Sequence, residues 1–137
     1  MKKLVLFAAL ISLASCEIYI FDDPNPAWDE RDQFVGSYYV EEYSQTTERF
    51  YTYTIEVEKS CCRNDEIRIL NFYGSDIEVV ALVHNYKMTI PLQQVDGYEI
   101  EGTGKIIDDK LEFTFFARDL LSRPTYTDFV DVEGWLY

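Results

Sequence analysis

From Phe34 to Tyr137 apolar and polar residues alternate with a period of two. Tyr51, Tyr53, Ile55 and Val57 interleave with Thr52, Thr54, Glu56 and Glu58, and Ile67 and Ile69 with Glu66 and Arg68. Ile77, Val79, Ala81 and Val83 follow, then Tyr86, Met88, Ile90 and Leu92. Tyr98, Ile100, Gly102, Gly104 and Ile106 oppose Glu99, Glu101, Thr103 and Lys105, and Leu111, Phe113 and Phe115 oppose Glu112 and Thr114. Successive side chains of a strand point to opposite faces, so each series predicts a strand with one buried face. With Val35–Tyr43 at the start and a last strand within Tyr126–Tyr137, about eight strands are predicted. No segment of similar length carries a helical stripe.

The connectors fix the arrangement. His84-Asn85 and Asp108-Asp109 read as two-residue hairpin loops, because Asn and Asp tolerate positive φ, and Asp96-Gly97 reads as a turn. Loops this short make neighbouring strands antiparallel. A meander of eight strands either closes or leaves two edges exposed, and closure removes the edges. The expectation is an all-β, eight-stranded up-and-down antiparallel barrel without a C-terminal helix.

The first residues follow another pattern. Met1-Lys2-Lys3 precedes an apolar run from Leu4 to Leu13 broken only by Ser12, which reads as a signal peptide over 1–15. The run is too short to span a hydrocarbon core, which needs roughly 20 residues. Leu13-Ala14-Ser15-Cys16 resembles the lipobox of bacterial lipoproteins. That resemblance implies cleavage before Cys16, lipidation of its thiol, and attachment to the outer membrane of a cell envelope. Acyl chains anchor by burying methylenes, and two or more make the attachment stable. Residues 16–33 then read as the lipidated N-terminus and an acidic tether, with Pro24, Pro26 and a single base, Arg31. Acidic residues soon after the lipid cysteine, here Glu17, Asp22 and Asp23, resemble surface-export signals of Bacteroidetes-type lipoproteins. They lean toward the outer surface over the periplasmic leaflet.

Residues 34–137 carry a second resemblance. Phe34-Val35-Gly36-Ser37-Tyr38-Tyr39-Val40 resembles the opening strand of lipocalin-like domains, with Tyr38 where those carry Trp. Ile69–Tyr73, Met88–Gln94 and Ile100–Gly104 followed by Leu111–Phe113 are similar to small lipocalin-like lipoproteins of the Bacteroidetes type. The resemblance implies a lipocalin-like barrel over 34–137.

Charge narrows the partners. The net charge of −13 becomes −15 when Lys2 and Lys3 leave with the leader. Without a basic patch to release counterions, nucleic acid is excluded as a partner. Of three cysteines, Cys61 and Cys62 remain beside Cys16, and adjacent Cα atoms are too close for an unstrained disulfide. No Gly-x-Ser-x-Gly, Walker or His-Glu-x-x-His motif is present, and the one histidine, His84, sits in an expected hairpin tip. The sequence therefore points to no enzyme, no cofactor and no metal site.

Two function classes compete. One is a binding module for a small apolar or aromatic ligand or a glycan. The other is a structural or protein-interaction lipoprotein, with an envelope protein as partner and a core filled by its own side chains. A ligand site would lie in the interior or at the mouth, lined by Tyr38, Tyr51, Tyr53, Tyr98 and Phe113, with Gly102 and Gly104 removing volume beside it. Tyr86, Met88 and Phe115 are also expected to point inward, and the same rings packed on one another would make a core. Phe116, Phe129, Trp135 and Tyr137 are apolar where water is expected, which suggests an outer docking patch.

Overall fold

The computed structural model describes residues 28–137. The leader over 1–15, Cys16 and the tether as far as residue 27 lie outside the described residues. Eight strands follow one another: β1 Gly36–Ser44, β2 Arg49–Lys59, β3 Glu66–Phe72, β4 Ile77–His84, β5 Lys87–Val95, β6 Tyr98–Ile107, β7 Lys110–Asp119 and β8 Tyr126–Leu136. Each pairs antiparallel with its sequence neighbours, and β1 also pairs with β8, so the sheet closes into an up-and-down barrel. Within the described residues the helix is a single 3-10 turn, Glu30–Gln33, before β1. The closed up-and-down order is consistent with a lipocalin-like barrel, and among the described residues no helix follows β8.

The period-two pattern maps onto the inside of the barrel. Ile77, Val79, Ala81 and Val83 of β4 are buried, as are Leu111, Phe113, Phe115 and Ala117 of β7. Asp108 and Asp109 take φ of 50° and 62°, and Asp96 and Gly97 take 47° and 86°, matching two-residue hairpin loops whose twist suits the strands. The β4–β5 loop is Asn85-Tyr86 rather than His84-Asn85, with His84 paired to Lys87. Tyr86, expected inward, is therefore a turn residue and 67% exposed.

Leu92 is also exposed, although it continues the inward series of β5. The cause is Pro91, which has no N–H to donate, and the β5–β6 register shifts between Ile90 and Gln93. The Gln93 side chain repairs the ladder: Oε1 accepts from Val80 N at 3.0 Å, and Nε2 donates to Val80 O at 2.8 Å and to Pro91 O at 3.0 Å.

The middle of the barrel is filled. Phe72 lies 4.5 Å from Phe115 and 5.8 Å from Phe113, ring centre to ring centre. Gly102 and Gly104 pair with Phe115 and Phe113. A Cβ on Gly104 would come 2.5 Å from Phe113 Cβ and 2.7 Å from Met88 Cε. The two glycines thus let the aromatic strand close in, and the volume they vacate goes to the core rather than to a central cup.

One end of the barrel is shut. Asp29 caps the 3-10 turn by accepting from Arg31 N at 3.0 Å. The Arg31 guanidinium grips Asp29 and donates across the barrel end to Ser60 O at 3.1 Å and Arg63 O at 2.7 Å. Glu30 accepts from Asn85 N, and Lys59 pairs with Asp29 at 3.0 Å and with Asp32. Phe34 then enters the core fully buried, and the buried Tyr38 hydroxyl donates to its carbonyl at 2.9 Å. Residues 29–33, expected as tether, are thus part of the domain. Long-range contacts hold them, which local composition does not reveal.

Candidate functional site

The opposite end is built differently. Residues on β1 that point inward run Tyr38, Val40, Glu42, Ser44, from apolar to polar. On β8 they run Asp128, Val130, Val132, Gly134, from polar to apolar. Because the strands are antiparallel neighbours, the polar ends meet at one mouth.

Glu42 is 2% exposed and Asp128 3%. The Tyr53 hydroxyl donates to Glu42 Oε2. Asp128 accepts from Ser44 Oγ at 2.5 Å on one oxygen and from the Tyr73 hydroxyl at 2.6 Å on the other. Ser44 Oγ in turn accepts from Thr47 N at 3.1 Å, which ties the β1–β2 loop to the cluster. Charge-assisted hydrogen bonds of this kind make burial of a carboxylate tolerable.

The electrostatics follow from burial. Removal from water pushes the Glu42 carboxyl up to about 7; the Tyr53 hydrogen bond opposes the shift and the charge of Asp128 reinforces it. Tyr53 is raised by burial and by Glu42, and Tyr73 by burial and by Asp128. Tyr126, also at the mouth, is raised by burial, Asp128 and Tyr51.

A cavity of about 440 Å³ opens here, walled by Tyr51, Tyr53, Tyr73 and Tyr126, with Glu42 and Asp128 reaching into it. The volume lies within the range of small-molecule pockets, about 300–1,000 Å³. Tyr73 is held at φ 58°, a conformation a bulky residue adopts only when its surroundings over-determine it. Gly74 follows at φ 57°, and a Cβ there would come 3.2 Å from the Tyr53 ring. A wider depression of about 620 Å³ lies on the outside of β5–β8, where Glu112 pairs with Lys105 and Lys110, and Glu133 with Lys110.

Of the five residues singled out in the sequence, Tyr51 and Tyr53 line the mouth cavity. Tyr98 stands behind it, edge-on to Tyr73 at 5.8 Å. Phe113 lies in the core at 3% exposure, and Tyr38 lies at the shut end, its hydroxyl pushed up to about 12 by burial and by Asp109. The five do not form one site. Glu42, Asp128 and Tyr73 were missed. The first two share strand parity with Val40 and Val130, which is a readable signal, whereas Tyr73 sits in a loop and gives none.

No protein-family model, curated protein or solved structure matches this chain.

Proposed function

We propose that this chain is a cell-envelope lipoprotein, anchored to the outer membrane through Cys16, whose lipocalin-like barrel binds a small ligand at its open mouth. The mouth cavity carries this reading. It joins four tyrosine rings to two buried carboxyl groups at the one end that the 3-10 turn leaves uncovered. Rings supply apolar area and hydroxyl edges, which suits an aromatic, apolar or sugar-like guest. The site is a binding site rather than a catalytic one, and it needs no cofactor. The anchor is supported by the lipobox-like Leu13–Cys16, and membership among Bacteroidetes-type lipocalin-like lipoproteins by the motifs of 34–137.

Native mass spectrometry of the protein purified from its own host tests the reading. The expected spectrum holds one extra small molecule per chain, lost in Tyr53→Ala while the fold survives. A bare chain mass under gentle conditions counts against it. Detergent-phase partitioning tests the anchor, with Cys16→Ala expected to move to the aqueous phase.

A second reading rests on the filled interior and the outer wall. Tyr39 and Trp135 pair across β1 and β8, Phe116 and Phe129 across β7 and β8, and Tyr43 lies 4.8 Å from Phe50. These outward rings suit an interaction lipoprotein that contacts an envelope protein and holds no small molecule. Retained aromatic exposure with a bare mass favours it.

A further inference from the structure

We infer that the guest of the mouth is a small organic cation, a protonated amine carried on a flat or apolar body, with its ammonium group at Glu42 and Asp128. The inference rests on the binding reading above and specifies the chemistry of that same site.

The cavity wall contains two carboxyl groups and no Lys, Arg or His. Their hydrogen-bond donors, Ser44, Tyr53 and Tyr73, are all neutral hydroxyls. Glu42 Oε2 is taken by Tyr53, while Oε1 has no hydrogen-bond partner among the described residues and the group lines the open cavity. A buried carboxyl group with one oxygen free beside an open cavity lacks the positive partner that buried charges ordinarily have. An ammonium group supplies three donors and the missing charge.

The walls argue for an organic cation over a metal ion. Among the described residues no three of His, Cys, Asp and Glu gather as a metal would need. Tyr51, Tyr53, Tyr73 and Tyr126 instead surround the acids with rings. Aromatic faces attract a cation within about 6 Å and bury its hydrocarbon body.

A proton and the guest compete for Glu42. The groups facing it are Tyr53 from β2, Tyr73 from the β3–β4 loop and Asp128 from β8, with Tyr51 and Tyr126 at the rim. Protonated Glu42 offers no charge, so affinity rises with pH up to about 7 and then levels. Between pH 5 and pH 8 the gain reaches roughly a hundredfold, the ratio of ionised Glu42 at the two values.

Isothermal titration calorimetry of the full chain in detergent tests this with 2-phenylethylamine, tryptamine and putrescine as cations. The comparators are 2-phenylethanol, phenylacetate and calcium chloride. The expected result is that an aryl amine binds at pH 8 at least tenfold tighter than the alcohol and is weakened at least tenfold at pH 5. Glu42→Gln, which keeps the acceptor for Tyr53, weakens the amine by a similar factor and removes the pH dependence; Asp128→Asn does likewise if circular dichroism shows it folded. Equal binding of the alcohol, tighter binding of phenylacetate or calcium, or an unaffected Glu42→Gln overturns the cation inference. A neutral molecule found by native mass spectrometry also overturns it while leaving the binding reading intact. No binding by any amine to folded protein, together with a bare native mass, overturns both.

Discussion

The two ends of this barrel are made by the same strands under the same alternation, and they differ in what stands at the inward positions. At the shut end Phe34 and Tyr38 fill the interior, and the 3-10 turn covers them through Arg31 and Lys59. At the mouth Glu42, Ser44 and Asp128 occupy equivalent inward positions, and the two acids accept from neutral hydroxyls, those of Tyr53, Tyr73 and Ser44, rather than pairing with cations. One end spends its inward residues on apolar burial, which stabilises in proportion to area. The other buries polar groups, which stabilise little and cost much when left unpaired. Apolar burial and polar burial are thus placed at opposite poles of one sheet.

The largest effect should come from breaking the shut end. Phe34→Ala removes a fully buried ring and leaves a cavity beneath the 3-10 turn. Phe-to-Ala changes in cores cost about 3–5 kcal/mol. Urea unfolding followed by Tyr and Trp fluorescence should show a loss of that size, and a loss below about 1 kcal/mol would mean that Phe34 is not a core residue.

The mouth should respond to pH instead. The Glu42 carboxyl lies at about 7 in the folded chain, above its ordinary 4.5, so folding takes up a proton between those values. Stability is therefore unaffected by this group below about 4.5, falls as pH rises toward 7, and stays reduced above it. The fall amounts to at most about 3 kcal/mol. Glu42→Gln should be more stable than the parent at pH 8, equal to it near pH 4.5, and flat between. Unfolding midpoints measured across that range decide it, and parallel curves for the two proteins would contradict the assignment.

Much of the fold was legible because strand parity needs only the identity of each residue. The eight strands follow from it, the Asp108-Asp109 loop from the tolerance of Asp for positive φ, and the closure from the liability of exposed edges. Parity failed where the backbone broke step. Pro91 shifted the register and turned Leu92 outward, and the β4–β5 loop fell one residue later, exposing Tyr86. The site was half legible. Spacing put Tyr51 and Tyr53 on one face of β2, and both line the mouth cavity, but Glu42 and Asp128 were passed over because acids in strands usually face water. Their positions in step with Val40 and Val130 outweigh that tendency. The role of Arg31 and the position of Tyr73 depend on partners 29 to 55 residues away, and no local pattern encodes them.

A smaller effect tests how the mouth wall is shaped. Gly74 holds φ 57° with the Tyr53 ring against it. Gly74→Ala places a Cβ in the left-handed region, at a cost of about 1–2 kcal/mol, and presses on Tyr53. The expected outcome is a modest loss of thermal stability with altered Tyr53 ring resonances and unchanged resonances for Phe34. Unchanged Tyr53 signals would mean that the loop yields instead.

The smallest effect separates the ends most sharply. Lys59 joins Asp29 and Asp32 at the shut end, where ion pairs are exposed and contribute little to global stability. Lys59→Met should leave the urea midpoint nearly unmoved. It should lower hydrogen-exchange protection locally, at the Phe34 and Val35 amides that donate to Arg31 O. The pH dependence runs opposite to that of the mouth. Asp29 is held well below the usual carboxylate range, first by its hydrogen bonds to Arg31 and then by Lys59. A depressed carboxyl contributes its stability in full above the ordinary value of 3.8 and loses it only as pH falls below. Between pH 4.5 and 8 the shut end should therefore hold steady while the cost of ionising Glu42 loosens the mouth. Protection factors at Phe34 should stay constant over that range, and those at Thr47, whose amide donates to Ser44 Oγ, should fall. If both amides lose protection together, the barrel opens as one unit and its ends are not independent.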